Sequence, residues 1–270
     1  MWTGVLLGTL GCLSTENWQT IWFILEINLI CFMTFISHRW TAKKIGIIYF
    51  IVQSLGTLML LRGGILRDLS SQLSHWIVLG LLLKSRLAPF HFWGPALISK
   101  LTNLTNCVFI TWQKIAPVFI IIITTPKCIH LLIIFINILS SSIISIGSKS
   151  IFILLFFSGL MHMRWIMAAP YRRAIIYYLF YVVTTLPIFL TGPSFNLNLL
   201  MLNAAGLPPI TGFFIKLIVL QNISIGLRRI ILLLSIPLLY AYVRVFIYGT
   251  RKIGTINVIT LMFCSLGLII

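Results

Sequence analysis

A chain of 270 residues that is 60% hydrophobic, 9% charged and formally +17 cannot build a water-facing shell, because soluble domains carry roughly a quarter of their residues as charges. That excludes a soluble enzyme, and the scatter of the basic residues through short loops, with no basic stripe, excludes a nucleic-acid binder. Lipid requires every segment to satisfy its own backbone, and runs such as Leu131–Leu139 and Ile151–Phe157 lack the period-2 alternation of a barrel strand, so the expected class is an all-α polytopic membrane protein.

Apolar runs place about eleven transmembrane helices of roughly 20 residues, at 1–14, 18–37, 45–61, 73–93, 101–124, 129–147, 151–168, 174–191, 197–223, 230–248 and 255–270. The first, Met1 to Leu13, has no basic n-region and reads as a short helix, not a signal peptide. The five cysteines, Cys12, Cys31, Cys107, Cys128 and Cys264, form no CxxC pair and suggest neither a disulfide framework nor a metal site.

The second helix carries Glu26, about two turns from either end. A carboxylate at that depth must pair, meet water or take a proton. A static salt bridge is the bland alternative to a protonatable switch. The fourth helix is broken by Leu81-Leu-Leu-Lys-Ser-Arg-Leu-Ala-Pro-Phe-His-Phe-Trp-Gly-Pro95, with Lys84 just before Pro89 and Pro95. Proline removes a backbone donor and clashes with the preceding turn. The fifth helix holds Lys114, flanked on each side by apolar or weakly polar residues that hinder snorkelling. An ammonium taken out of water gives up its proton more readily, and Glu26 is the expected nearby anion.

The seventh helix carries His162 and Arg164. Histidine titrates near neutrality and can relay protons; a packed helical histidine is the bland alternative. Arg164, Arg244 and Arg86 keep their protons and are expected to pair or snorkel. Tyr177, Tyr178 and Tyr181 are expected to form an interfacial belt. The ninth helix is broken by Asn203-Ala-Ala-Gly-Leu-Pro-Pro-Ile-Thr-Gly-Phe-Phe-Ile-Lys216, with Pro208 and Pro209 before Lys216.

The two breaks lie five helices apart, and an odd-numbered repeat inverts in the membrane. The expectation is one antiporter-like domain over 1–270: two inverted five-helix repeats, about 1–124 and 129–248, each with a broken helix, plus an extra helix at about 255–270. Paired interrupted helices point to an ion pathway. Orientation does not follow from charge. Arg62, Arg67, Lys127, Arg172, Arg173, Arg228 and Arg229 on one side balance Arg39, Lys43, Lys44, Lys100, Lys149, Arg251 and Lys252 on the other.

The strings Leu25-Glu-Ile-Asn28, Tyr49-Phe-Ile-Val-Gln53, Ala88-Pro-Phe-His-Phe-Trp93, Thr111-Trp-Gln-Lys-Ile-Ala-Pro117 and Gly206-Leu-Pro-Pro-Ile-Thr-Gly-Phe-Phe-Ile-Lys216 resemble, in order and spacing, the subunit 2 family of mitochondrial NADH:ubiquinone oxidoreductase, respiratory complex I. The resemblance covers nearly the whole chain. It implies an antiporter-like membrane-arm subunit of the mitochondrial inner membrane that moves protons, driven by quinone chemistry in other subunits. NADH, FMN, iron–sulfur clusters and ubiquinone would be handled by those partners, with no cofactor on this chain. The partners it implies are other membrane-arm subunits, with lipids such as cardiolipin at the basic loops.

Carried over residue by residue, the resemblance makes Glu26 the helix carboxylate, Lys84 the lysine before the first break, Lys114 the central lysine and Lys216 the lysine after the second break. His162 matches the histidine of a motif that usually reads His-x-Gly-Trp, with Arg164 in the glycine's place. Ala96 stands where the family has an acid after the proline, and Thr41-Ala-Lys-Lys44 lacks a common glutamate. It also implies that the loop from His38 to Lys44 faces the matrix and the C-terminus faces the intermembrane space. A cation/proton antiporter subunit of the same superfamily and a non-pumping membrane scaffold are the competing readings.

Overall fold

The computed structural model describes residues 2–37, 43–70, 75–148, 150–190, 195–207, 210–221 and 223–250. Their regular structure is helical. Six segments are long and apolar enough to cross a membrane: Trp18–Ile36, Gly46–Arg67, Asn103–Thr124, Lys127–Gly147, Ile151–Ala168 and Ile225–Arg244. Thr3–Ser14, His75–Ser85 and Thr211–Leu220 are shorter apolar helices. Part of the difference from about eleven expected crossings comes from the breaks, which divide a crossing into two pieces, each too short alone. The expected helix at 255–270, the loop at 38–42, and Pro208 and Pro209 lie outside the described residues.

The chain divides into two compact units, Met1–Ile133 and Ile134–Ile270. The first holds α1 (Trp2–Ser14), α2 (Trp18–Ser37), α3 (Lys43–Ser70), α4 (His75–Ser85), α5 (Gly94–Ile98), α6 (Asn103–Ile110) and α7 (Ile115–Thr124). Within it α1 packs on α2, α2 on α3, α3 on α4, and α7 on α1 and α4. At the α3–α4 crossing a Cβ on Gly80 would lie 2.7 Å from the carbonyl oxygen of Gly56. Only small residues allow that approach, which is how helices associate where lipid offers no hydrophobic gradient.

The fourth expected helix, 73–93, stops at Ser85. Arg86 takes φ 57°, the left-handed conformation that ends helices, usually on glycine. Its N–H donates to the Leu83 carbonyl and that of Leu87 to the Leu82 carbonyl, the paired bonds of a Schellman cap. Turns through 88–93 hold Pro89, and Pro95 opens α5.

The fifth expected helix, 101–124, is not continuous. A 3-10 turn over Trp112–Lys114 separates α6 from α7. Pro117 has no N–H for the Gln113 carbonyl, and its ring crowds the turn before it, so the backbone tightens there.

The second unit takes in most of α8 (Lys127–Gly147), then α9 (Ile151–Ala168), α10 (Tyr171–Leu190), α11 (Phe195–Ala205), α12 (Thr211–Leu220), α13 (Ile225–Leu233) and α14 (Ile236–Thr250). The single helix expected at 197–223 is α11 and α12. The one expected at 230–248 is α13 and α14, joined by a turn at 234–235. Gly206, with φ 75°, ends α11, its N–H donating to the carbonyls of Leu202 and Asn203. Arg86 and Gly206 thus each end the first half of an interrupted segment in the left-handed conformation.

Candidate ion-pathway sites

In the first unit the Thr111–Pro117 motif is pinned by its own side chains. Trp112 Nε1 donates to Thr9 Oγ1 of α1 at 3.1 Å, and Gln113 Nε2 donates to Asn28 Oδ1 of α2 at 3.2 Å. With those two neighbours tied outward, Lys114 points into the unit and is 0% exposed. Arg86 lies within electrostatic reach of it. The Arg86 guanidinium, itself buried, sits 3.8 Å above the Phe109 ring, a desolvated cation–π contact worth about 2 kcal/mol. That contact offsets the roughly 1–2 kcal/mol cost of a left-handed non-glycine residue. Arg86 therefore does not snorkel.

Lys84, 5% exposed, closes α4. Its stem rests on α3, where a Cβ on Gly56 would meet Lys84 Cγ at 3.1 Å, and Gln53 Nε2 donates to its carbonyl at 3.4 Å. Glu26 is partly buried, its Oε2 shielded without a hydrogen-bond partner among the described residues. Lys84 is an ammonium within electrostatic reach of it. Asn28, Tyr49, Gln53, Lys84 and Gln113 line a cavity of about 10 Å³ between these groups, close to the smallest space that accommodates one water.

In the second unit α9 carries His162, 2% exposed, whose Nδ1 shares a hydrogen bond of 3.0 Å with Tyr177 Oη. Tyr181 packs 5.0 Å from the imidazole, centroid to centroid. Tyr177, Tyr178 and Tyr181 are all buried, so they are not an interfacial belt. Three tyrosines within five residues fall partly on one helical face, and that face packs inward. Arg164 is also buried, beside Trp165. Arg244 does pair: it donates to the carbonyls of Ile146 at 2.8 Å and Ser148 at 2.6 Å, satisfying orphan groups at the end of α8.

Lys216, on α12, reaches back to the end of α11. Its Nζ donates to the Ala204 carbonyl at 3.0 Å and also to that of Ala205, where the helix dipole favours a cation. Asn203 makes the reciprocal tie: Oδ1 accepts from Thr211 Oγ1 at 2.8 Å and from the Gly212 N–H at 3.0 Å. Each half of the interrupted segment thus caps the other. His162, Arg164, Gly206, Lys216, Ser235 and Tyr242 share a cavity of about 160 Å³ in this unit.

The structure therefore buries Lys84, Lys114 and Arg86 in the first unit and sets His162 and Lys216 around one cavity in the second. Sequence reasoning passed over the polar residues that hold these groups. Asn28, Tyr49, Gln53 and Gln113 all lie inside the quoted motifs, and Asn203 opens the second break, which was the available signal. Among the described residues no group of three His, Cys, Asp or Glu gathers as a metal site.

No family model matches the chain. Curated proteins named NADH-ubiquinone oxidoreductase chain 2 do. That of Anopheles gambiae is 29% identical over 89% of this chain and 82% of its own. That of Lycodon semicarinatus is 29% identical over 90% and 83%, and that of Lumbricus terrestris 26% over 90% and 84%. The resemblance read from the motifs is borne out. Among solved structures, a chain of respiratory complex I from Thermus thermophilus superposes with TM-score 0.83 at 18% identity, over 98% of this chain and 76% of that one. A chain of the Mrp complex from Dietzia sp. DQ12-45-1b gives 0.76 at 15% identity, over 90% of this chain and 58% of that one. At these identities the likeness is one of fold.

Proposed function

We propose that this chain, similar over about nine-tenths of its length to NADH-ubiquinone oxidoreductase chain 2, is a proton-translocating membrane-arm subunit of respiratory complex I. The observation that carries the reading is the burial of Lys84 and Lys114, 5% and 0% exposed, at two helix interruptions in one unit, with Glu26 acting on Lys84. Buried ionisable groups in a membrane are costly and mark ion pathways. Interrupted backbone at membrane depth is tolerated where it lines such a path.

In this pathway Glu26 is the carboxylate that controls the Lys84 site, since an anion held near an ammonium favours its protonated state. Moving that carboxylate away makes the proton easier to release. A change of one pKa unit corresponds to about 1.4 kcal/mol, so a modest shift of α2 against α4 loads or empties the site. Lys114 is the next carrier, with Arg86 as a fixed positive charge that drives its proton onward. His162 and Lys216 form the corresponding stretch in the second unit. The residues 1–124 and 129–248 are two copies of one five-helix plan, with 255–270 as an extra helix.

This chain has no redox site of its own in the reading. Electron transfer from NADH to ubiquinone takes place in partner subunits, and neighbouring antiporter-like subunits adjoin it in the mitochondrial inner membrane with lipids such as cardiolipin. The likeness to the Mrp chain keeps a cation/proton antiporter subunit as the second reading. Copurification with redox subunits separates the two.

Lys114 tests the mechanism. Lys114→Met keeps similar bulk and removes the proton site; the complex is expected to assemble and to lose turnover and pumping. Lys114→Arg keeps a charge that cannot be released and is expected to be impaired as well. Parent rates of pumping per electron in the arginine variant would show that Lys114 is a fixed structural charge.

A further inference from the structure

In the first unit the turn between α1 and α2, the last turn of α3 and the end of α7 meet around a cleft of about 900 Å³. Helix ends place it where hydrocarbon gives way to water, the level at which tryptophan and arginine anchor a membrane protein. Its wall has two characters. Glu16, Asn17, Gln19, Thr20 and Arg67 are polar, while Leu13, Ile120 and Ile123 are apolar. The Arg67 guanidinium lies 5.3 Å from the centre of the Trp18 ring, a cation–π contact that holds it at the cleft. Trp18 is itself set hard against α3, where a Cβ on Gly64 would lie 2.9 Å from Trp18 Cβ. Glu16, in the α1–α2 turn, is exposed. The apolar side of the cleft runs on into lipid-facing surface, because Leu10 and Leu13 of α1 and Ile123 of α7 are exposed.

We propose that this cleft binds one phospholipid whose headgroup carries a primary amine, of the phosphatidylethanolamine class. Its phosphate meets Arg67, its ammonium meets Glu16, and its acyl chains follow Leu10 and Ile123. The charges select the headgroup. The mouth offers one guanidinium and one carboxylate, which complement one phosphate and one ammonium. A headgroup of net negative charge gains at Arg67 and loses at Glu16. A trimethylated amine keeps its charge but has no N–H to donate to the carboxylate, whereas a primary ammonium forms the stronger charge-assisted bond. Asn17, Gln19 and Thr20 supply further donors for phosphate and ester oxygens. The volume lies toward the upper end of the roughly 300–1,000 Å³ of small-molecule pockets, enough for the headgroup and the start of the chains. The cleft includes none of Glu26, Lys84, Lys114, His162 or Lys216, so the site stands whether or not the proton pathway does.

The test uses the native membrane assembly that contains this chain, held in nanodiscs whose bulk lipid is phosphatidylethanolamine, phosphatidylcholine or phosphatidylglycerol. Each disc carries the same trace of phosphatidylethanolamine with a photoactivatable diazirine high on one acyl chain, and adducts are located by peptide mass spectrometry. In the phosphatidylcholine and phosphatidylglycerol discs, adducts are expected to gather on residues 10–13 and 120–124, several-fold above those on the exposed face of α8 at 131–135. Bulk phosphatidylethanolamine should reduce the cleft adducts several-fold and leave those on α8 unchanged. Glu16→Gln should erase the advantage of phosphatidylethanolamine over phosphatidylcholine, and Arg67→Gln should lower cleft labelling toward the α8 level in all discs. Equal cleft labelling in the three bulk lipids would overturn the proposal, as would stronger displacement by phosphatidylglycerol. Labelling no higher than on α8, as when a neighbouring subunit fills the cleft, would overturn it too. So would an amine preference that survives Glu16→Gln. The comparison of bulk lipids on the parent decides the matter even where a variant does not assemble.

Discussion

Gln113 shows how a polar side chain beside the buried Lys114 is used. Its Nε2 donates to Asn28 Oδ1 at 3.2 Å, and Asn28 is 5% exposed. Gln113→Leu leaves the Asn28 amide without that partner, at a cost of about 1–3 kcal/mol, and frees the turn that aims Lys114 inward. The expected outcome is an assembled complex with a lower thermal midpoint and reduced pumping per electron. In the double variant Asn28→Leu/Gln113→Leu neither polar partner remains, so part of the stability should return while pumping stays low. A double-mutant cycle on the thermal midpoint checks this. Additive losses would mean that the two residues act separately.

The interrupted segments are the informative elements, and they were only partly legible. Pro89 and Pro95 lie where the helix of Lys84 gives way to turns, and proline chemistry suffices to expect that. The 3-10 turn at Trp112–Lys114 was less visible, although Pro117 stood in the quoted motif, because a single tightened turn leaves the apolar pattern unchanged. The tyrosines of α10 misled because an amphipathic ring suits both an interface and a packed core. Only the partner, here His162, decides.

The reciprocal cap between α11 and α12 was not legible either. Asn203 and Lys216 are 13 positions apart, and nothing in the spacing says that each serves the other's helix. Asn203→Leu removes the bonds to Thr211 Oγ1 and the Gly212 N–H. Loss of a helix N-cap costs about 0.5–2 kcal/mol. Exchange at the first turn of α12 is therefore expected to quicken several-fold in the assembled complex, with the last turn of α11 following as Lys216 loses its frame. Unchanged exchange at Thr211–Phe214 would remove the capping role of Asn203.

At the scale of the molecule the open quantity is sidedness, because the basic residues balance across the loops and the positive-inside rule has no purchase. The resemblance to chain 2 subunits puts the loop at His38–Lys44 in the matrix, and helix counting then carries the junction between α7 and α8 to the opposite face. A native reporter stands at that junction. Of the cysteines among the described residues, Cys12 and Cys107 are buried, Cys31 is intermediate and Cys128 is exposed, one position inside α8 after Lys127. An exposed thiol at a helix start reaches water, and a membrane-impermeant maleimide reacts with it only from its own side. In mitoplasts, with the inner membrane sealed and its outer surface open to reagent, Cys128 is expected to label, with the site read by peptide mass spectrometry. Membranes opened with detergent give the control for reactivity in the assembled complex. Labelling of Cys128 that begins only once the inner membrane is opened would reverse the orientation of every loop, and with it the side from which the proposed pathway through Glu26 and Lys84 is filled.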